Sequence, residues 1–220
     1  MKLLSLFFGS LKSTRLPRSY RPRVEPLESR TLLSVCTVDR LTDNNPTGGG
    51  EGGHGMGDLR WCVVESLFEA DTIDFAVTGT INLAAALPTL TRNVSIDGPG
   101  ADLLTVERYA GGNYRIFTVG AGVTVSISGL AIATGNVSDG TGGGGILNSG
   151  NLTVTDIIVS GNTAIPGIGG GILNSGMLTV NNSTISASTV SGGNYASLGG
   201  GIANSGTMTV NTAASRQPRR

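Results

Sequence analysis

Short segments in which apolar residues alternate with threonine or serine recur through the second half of the chain. Leu152 and Val154 alternate with Thr153 and Thr155, and the segments MLTV and TMTV repeat this pattern further along. An apolar–polar period of two with β-branched residues predicts β-strands that bury one face. Because no part of this region has a long helical period, the pattern predicts an almost entirely β structure from Thr72 onward.

These segments belong to a sequence repeat. GGGGILNSG at residues 142–150 returns as GGGILNSG at 169–176 and as GGGIANSG at 199–206, with spacings of 26 and 30 residues. A weaker copy lies 27 residues upstream of the first, and a still earlier one surrounds Val94 and Ile96. The aligned copies form apolar columns: Ile146, Ile172 and Ile202; Leu152, Leu178 and Met208; Val154, Val180 and Val210; and, in the upstream copy, Val119, Val125, Ile127, Leu130 and Ile132.

This repeat predicts a right-handed parallel β-helix, whose coils hydrogen-bond to one another at roughly 4.8 Å. One unit cannot bury its own apolar face, whereas stacked units cover each other. The leucine-rich motif L-x-x-L-x-L is missing, and a propeller blade needs about 40 residues. We therefore expect about five coils between residues 72 and 212, with the apolar columns pointing inward.

Asn148, Asn174 and Asn204 form a further column of the repeat. An asparagine at a bend of stacked coils can pass amide hydrogen bonds to the asparagines above and below it, which satisfies buried polar groups. We interpret the column as a structural ladder; a row of asparagines presented to a ligand is the alternative. The glycine runs are interpreted as corners, since no lysine follows them in P-loop spacing.

The residues ahead of the repeats predict a cap over the open end of the first coil. Residues 36–41 (CTVDRL) are predicted to form a strand, followed by a polar, glycine-rich loop at 42–57. Asp58 is a good N-cap for a short helix near 58–68. The predicted apolar face of that helix carries Leu59, Cys62, Val63 and Leu67.

Four segments are predicted from these patterns: an export or targeting segment without a folded pattern at 1–34, a cap at 35–71, β-helix repeats at 72–212 and an unstructured basic tail at 213–220. The last of the repeats opens a coil, but no helix, aromatic plug or charged strand follows to close the stack. We expect either a shortened chain or an end that a partner covers, for example by self-association through the last coil.

The net charge of the 220 residues is zero, but it is unevenly distributed. Residues 1–34 carry +5, residues 35–215 carry −8 and the last five residues carry +3. The acidic body argues against nucleic acid as a partner. No apolar run is long enough to span a bilayer. Lys2 followed by LLSLFFGSL resembles the start of an export signal, although no small-x-small cleavage site follows, so cleavage of this leader stays open.

The two cysteines, Cys36 and Cys62, both lie ahead of the repeats. In an exported protein they could pair as a disulfide. Two cysteines are too few for a zinc site, and the single histidine, His54, is expected to be solvated in its glycine-rich loop. The sequence therefore predicts neither a metal site nor a cofactor.

Charged side chains that could support catalysis are sparse. Asp156 is the only charged residue from Gly140 to Ser215. Asp97 and Asp102 could face each other across DGPGAD, but Asp-Gly and Pro-Gly are also turn formers, and we prefer that interpretation. The other charged candidates of this stretch are Glu107, Arg108 and Arg115. We predict no catalytic residue.

Several motifs together resemble one family of bacterial proteins. RVEPLESRTLLS at 23–34 fits the L-E-x-R-x-L-L-S motif of large planctomycete extracellular proteins. CTVDRLTD…GDLRWCVVES resembles the CSLREA-type segment of bacterial β-helix proteins, with Leu59 and Arg60 retained and Trp61-Cys62 in place of Glu-Ala. The GGGI-N-SG-LTV repeats, typical of pectate-lyase-like β-helices, extend the resemblance over nearly the whole chain.

The resemblance implies an exported, right-handed parallel β-helix at the cell surface or outside the cell. Since this fold hosts both polysaccharide-cleaving enzymes and inert passengers, the fold alone does not decide the function. We expect a structural, adhesin-like protein without catalytic activity, with cell-surface glycans as conceivable partners. The alternative is a polysaccharide-binding or polysaccharide-cleaving enzyme, or a degenerate relative of one.

Overall fold

A computed structural model describes residues 34–45, 49–53, 55–68, 70–109, 112–190 and 199–211 of the chain. The export segment (apart from Ser34), His54 and the basic tail lie outside the described residues. The elements are β1 Ser34–Val38, β2 Gly52–Gly53, β3 Met56–Gly57, α1 Leu59–Ser66, β4 Ala70–Phe75, β5 Gly79–Leu83, β6 Val94–Asp97, β7 Leu104–Arg108, β8 Phe117–Val119, β9 Thr124–Ser128, β10 Ala131–Ala133, β11 Asn136–Val137, β12 Ile146–Asn148, β13 Asn151–Thr155, β14 Ile158–Ser160, β15 Thr163–Ala164, β16 Ile172–Asn174, β17 Met177–Asn181, β18 Thr184–Ser186, β19 Thr189–Val190, β20 Ile202–Asn204 and β21 Thr207–Asn211.

The strands form the four sheets of a parallel β-helix with about five turns, as the repeat predicted. Sheet A has the order β2-β3-β1-β4-β6-β9-β13-β17-β21, sheet B the order β5-β7-β10-β14-β18, sheet C the order β8-β12-β16-β20, and sheet D the order β11-β15-β19. Every described strand pair is parallel except the short hairpin of β2 and β3. Each turn of the chain therefore adds one strand to each of several sheets.

The register of the sheets matches the sequence columns. Leu152 lies beside Leu178, which lies beside Met208, and the valines two positions further along are aligned in the same way. In β13 and β17 the apolar members of these pairs are at most 2% exposed, because each coil covers the next. The apolar alternation thus fixes both the inward face and the register of the strands.

The last described coil keeps the register of the columns but is less buried than the coils before it. Met208 is 40% exposed and Val210 is 53% exposed, although both are aligned with the coil before. Both are exposed because no described residue packs over β21. Inward direction alone does not bury a side chain; a neighbouring coil has to cover it.

Glycine in the NSG motif is required by the close approach of successive coils. A Cβ atom on Gly176 would collide with the carbonyl oxygen of Gly150, and one on Gly206 would collide with that of Gly176. The repeat keeps glycine at this position because backbone meets backbone there.

The N-terminal elements form the predicted cap. Helix α1 is shorter than the predicted 58–68, and β1 begins and ends earlier than the predicted strand at 36–41. Asp58 is the N-cap: its carboxylate accepts from the backbone N–H of Trp61 (2.7 Å) and from that of Glu51 (2.8 Å). No helix in the described part of the chain is long and apolar enough to cross a membrane.

Candidate functional site

The carboxylates that the sequence singled out do not converge. Asp97 is exposed at the end of β6, where its side chain accepts hydrogen bonds from the hydroxyls of Ser95 (2.9 Å) and Ser128 (3.0 Å). Asp102 lies in the following turn and lines a shallow, solvent-open depression to which Asp97 does not contribute. The two side chains are therefore parts of different surfaces.

The depression lies at the corner between sheets A and B, where the chain passes from one sheet to the next. Its polar lining comes from Asp102, Asp156, Asn182 and Thr184. The amide of Asn182 donates to the carboxylate of Asp156 in the coil before it. This depression is the place on the described surface where two carboxylates and an amide share one concave face, so it is the candidate site.

Backbone geometry explains why Asp156 occurs in an otherwise uncharged repeat. Gly129, Asp156 and Asn182 occupy the same corner in successive coils, with φ values of 58°, 53° and 42°. These values lie in the left-handed region, which glycine, asparagine and aspartate tolerate best. Asp156 and Asn182 are thus residue types that this corner selects for its backbone geometry.

A second corner has the same geometry. Thr134, Gly161 and Ala187, which follow β10, β14 and β18, have φ values of 55°, 64° and 48°. Arg108 braces Thr134: its Nε donates to the Thr134 carbonyl (2.9 Å), and the Thr134 hydroxyl donates to the Arg108 carbonyl (2.8 Å). The guanidinium of Arg108 therefore serves this corner. Glu107 precedes it on β7, half-buried.

Arg115 ties two loops together. Its guanidinium donates to the Gly142 carbonyl (3.1 Å) and to the Thr141 hydroxyl, and lies 3.6 Å from the Asp139 carboxylate. Burial lowers the pKa of Arg115, while hydrogen bonds from the side chain and backbone N–H of Thr141 lower the pKa of Asp139. Both groups stay charged and hold the loop that leads into the first glycine run.

The remaining arginines of the described part are also engaged with the chain itself. Arg40 pairs with the neighbouring Asp39 at 2.7 Å. Arg92 donates to the carbonyls of Leu67 and Phe68, the residues that follow helix α1. Together with Arg60, described below, these contacts involve every basic side chain of the described residues in local structure.

Arg60 and Asp43 form a buried ion pair in the cap. The Nε and Nη2 of Arg60 donate to the two carboxylate oxygens of Asp43 at 2.7 and 2.8 Å, and both side chains are 2% exposed. The guanidinium also donates to the carbonyls of Ala85 (2.8 Å) and Ala86 (2.6 Å), and Asp43 accepts from the N–H of Ala84 (2.8 Å). Arg60 thus fastens the cap to the first coil, and Asp43 is a partner that sequence reasoning missed.

Cys36 of β1 and Cys62 of α1 form a disulfide with a Cα–Cα distance of 5.4 Å, and both residues are fully buried. The pair lies on the inner side of the cap, among the apolar residues of the first coil. It therefore links the first strand of sheet A to the helix that covers the end of the stack.

The asparagine column is a hydrogen-bonded ladder. The amide of Asn148 donates to the side-chain oxygen of Asn174 (2.6 Å), whose amide donates in turn to that of Asn204 (2.5 Å). Asn148 and Asn174 are fully buried, whereas Asn204 is exposed. The buried rungs face the interior, so they hold coils together and present nothing to a ligand.

One further buried asparagine escaped the sequence analysis. The oxygen of Asn162 accepts from the N–H of Gly135 (2.8 Å), and its amide donates to the carbonyls of Ile132 and Ser160 (3.1 Å each). Asn162 follows Gly161, which has a left-handed backbone at a corner. An asparagine directly after a corner glycine is therefore the sequence feature that could have identified it.

Among the described residues, no group of three or more histidine, cysteine, aspartate or glutamate side chains could hold a metal ion. Comparison of the chain with protein-family models, with curated proteins and with solved structures finds no significant match.

Proposed function

We propose that the protein is a secreted or cell-surface structural protein, an adhesin-like β-helix without catalytic activity. The proposal rests on one observation: the arginine side chains of the described residues are engaged in contacts within the chain. The guanidinium groups of the described residues contact the chain's own carbonyls, hydroxyls and carboxylates at the cap, the corners and the loops. Lyase chemistry on a uronate needs a basic side chain that is directed at the substrate.

The candidate depression supports this proposal over a hydrolase. A glycoside hydrolase needs one carboxyl group that donates a proton and another that acts as base or nucleophile. Asp156 is engaged by the amide of Asn182 and belongs to a corner that needs a left-handed residue. Asp102 is exposed at the rim. Both carboxyls line a solvent-open depression, whereas the acid of such a hydrolase typically lies in an apolar pocket.

A carbohydrate-active protein is the second candidate, and the same depression favours it. Asp102, Asp156, Asn182 and Thr184 provide carboxylate, amide and hydroxyl groups that can hydrogen-bond to a sugar. If this function holds, the depression is where a glycan binds.

A screen against pectin, alginate and cell-wall glycans separates the two functions. The purified chain is assayed for new reducing ends, for unsaturated uronates and for binding, beside an Asp102→Asn/Asp156→Asn variant and heat-unfolded protein. We expect no cleavage by any of the three samples. Product formed by the native chain and lost in the double variant would overturn the proposal and establish the enzyme.

Export is tested with the leader itself. Residues 1–34 are fused to a phosphatase that becomes active only after its disulfides form outside the cytoplasm. We expect activity from the fusion, and its loss when Leu3, Leu4 and Phe7 are replaced by glutamate. An inactive fusion that is nevertheless made in full would argue against an exported protein.

We further propose that the last coil mediates self-association. Met208 and Val210 expose apolar surface on β21, which is the edge strand of sheet A among the described residues. An edge strand offers unpaired backbone groups to a second copy. Sedimentation of the chain over a range of concentrations tests this, with Val210→Lys as the disrupting variant. Met177→Lys is the control, because Met177 is 56% exposed on the strand before the edge strand. A purely monomeric native chain would refute the proposal.

A further inference from the structure

The cap is held through contacts with neighbouring elements: β1 pairs with β3 and β4, and α1 packs through its buried face. Leu59, Cys62 and Val63 are its fully buried apolar residues on helix α1. The helix has only eight residues, and helices this short have little stability by themselves. Most of what positions α1 must therefore come from its links to the strands and to the first coil.

The segment between β1 and α1 is costly to order. Seven of its residues from 48 to 57 are glycines, and glycine loses more conformational freedom on folding than any other residue. The disulfide between Cys36 and Cys62 spans this segment, with a sequence separation of 26. Closing the loop covalently removes much of that cost from the ordering of the cap.

The buried ion pair does not replace the disulfide. Asp43 and Arg60 satisfy each other only when the loop, the helix and the carbonyls of Ala85 and Ala86 are already in place. The desolvation cost of a buried ion pair cancels much of the attraction between its charges. The pair therefore makes the closed arrangement specific but contributes little net free energy to closing it.

The coils beyond the cap depend neither on the disulfide nor on the Asp43–Arg60 ion pair. From β9 to β17 the stack is held by parallel strand pairing, by buried apolar columns and by the asparagine ladder, and it contains no cysteine. Nearest-neighbour stacking allows this part to form independently of the N-terminal end.

We propose that oxidation of Cys36 and Cys62 is the step that closes the cap, and that the coils from β9 to β17 form without it. A thiolate of one cysteine attacks a disulfide oxidant such as oxidised glutathione, releasing one glutathione thiol and leaving a mixed disulfide. The other cysteine thiolate displaces the second glutathione. Two cysteine protons are lost, the protein is oxidised by two electrons, and the oxidant is reduced to two thiols. The cap therefore closes only in the oxidised protein, whereas the coils from β9 to β17 form in either redox state. This inference rests on the proposed export only because the oxidant is met outside the cytoplasm.

Hydrogen exchange on the full chain tests the proposal. The protein is refolded once with oxidised and reduced glutathione and once with a phosphine reductant. We expect the amides of β1 and α1 to exchange at least ~10-fold faster in the reduced protein, and those of β13 to stay within about twofold. Equal protection of the cap in both forms would overturn the proposal, and so would loss of protection in β13 together with the cap.

A second measurement reports directly on whether the two thiols of the cap are accessible. Alkylation of the native reduced protein by a maleimide is expected to proceed at a rate close to that of the unfolded chain, because an open cap exposes both thiols. Strongly retarded alkylation would mean that the cap closes without oxidation. The Cys36→Ala/Cys62→Ala variant is the control: it should show the exchange pattern of the reduced protein, and the reductant should not change it.

Discussion

Asn148 and Asn174 lie one coil apart and are joined by a hydrogen bond of 2.6 Å between the amide of one and the side-chain oxygen of the other, and both residues are fully buried. Each amide also donates to backbone carbonyls, that of Asn148 to Met177 of the next coil at 2.8 Å. The side chain thus acts as a connector between coils, and the direction of donation is the same at every step.

Replacing Asn174 by alanine should therefore be costly. The change takes from the Asn148 amide its side-chain acceptor and removes the amide that donates to the Asn204 oxygen and to the carbonyls of Gly176 and Thr207. A buried polar group that loses its partner costs about 1–3 kcal/mol. Asn204→Ala is the matched control, since the same residue type is exposed there and the Asn174 amide keeps its bonds to the carbonyls of Gly176 and Thr207. Chemical denaturation should show the larger loss of unfolding free energy for Asn174. Equal losses would mean that burial of the ladder contributes little.

The cap should be sensitive to loss of either member of its buried ion pair. Asp43→Asn leaves the Arg60 guanidinium buried without a countercharge, and breaking such a pair typically costs about 3–5 kcal/mol. Asp39→Asn is the control, because the Arg40–Asp39 pair is exposed to solvent and should leave stability unchanged. Thermal unfolding of the two variants provides the comparison. A small effect of Asp43→Asn would show that water reaches Arg60.

The second corner predicts opposite effects for two reciprocal substitutions. At Gly161 a Cβ would contact nothing within 4 Å, so Gly161→Ala tests only the left-handed φ of 64° and should destabilise by about 1 kcal/mol. Ala187 has a φ of 48° in the next coil, and Ala187→Gly should stabilise by a few tenths of a kcal/mol after the entropy of the unfolded chain is included. Denaturation midpoints of both variants measure this. Effects of the same sign would contradict the strain argument.

Two carboxylates should give stability opposite dependences on pH. Burial raises the pKa of Asp58 in the folded protein, so its contribution is fully present below the ordinary aspartate pKa and is lost as pH rises through the raised value. The pKa of Asp139 is lowered, so its contribution is present at neutral pH and is lost as pH falls through the lowered value. The free energy of unfolding of the Asp58→Asn variant should therefore rise relative to that of the native chain as pH rises above about 4, the ordinary aspartate pKa. The corresponding difference for Asp139→Asn should become less unfavourable on acidification.

The last described coil should be the least stable part of the stack. Its apolar residues are exposed, whereas those of β13 are buried, and stacking energies pass only between neighbours. Hydrogen exchange of β20 and β21 should be faster than that of β12 to β14 in the monomeric chain. Appending one further GGGIxNSG coil and a polar cap should slow it. Equal protection in the unmodified monomer would show that this end is closed by other means.

The repeat unit of this protein could be read from its sequence. The period of 26 to 30 residues, the inward columns and the asparagine ladder follow from residue types that recur at fixed spacing, because every coil meets the same neighbour in the same register. Asp58 as N-cap and a short helix after it were predictable for a similarly local reason. The degree to which Met208 and Val210 are exposed depends on what packs over the last coil as well as on the direction of a side chain.

Only the tertiary structure decided the contacts that occur once. Arg60 reaches Asp43 and the carbonyls of Ala85 and Ala86 across separations of 17 to 26 residues, and nothing in the repeat indicates that meeting. Asp102 likewise shares a depression with Asp156 and not with Asp97. This depends on how the turn that contains Asp102 lies relative to the corner at Asp156, two coils further along. Periodic contacts are encoded many times over and can be read from their repetition. A single long-range contact depends on the path of the whole chain, so it becomes visible only when the coils are stacked.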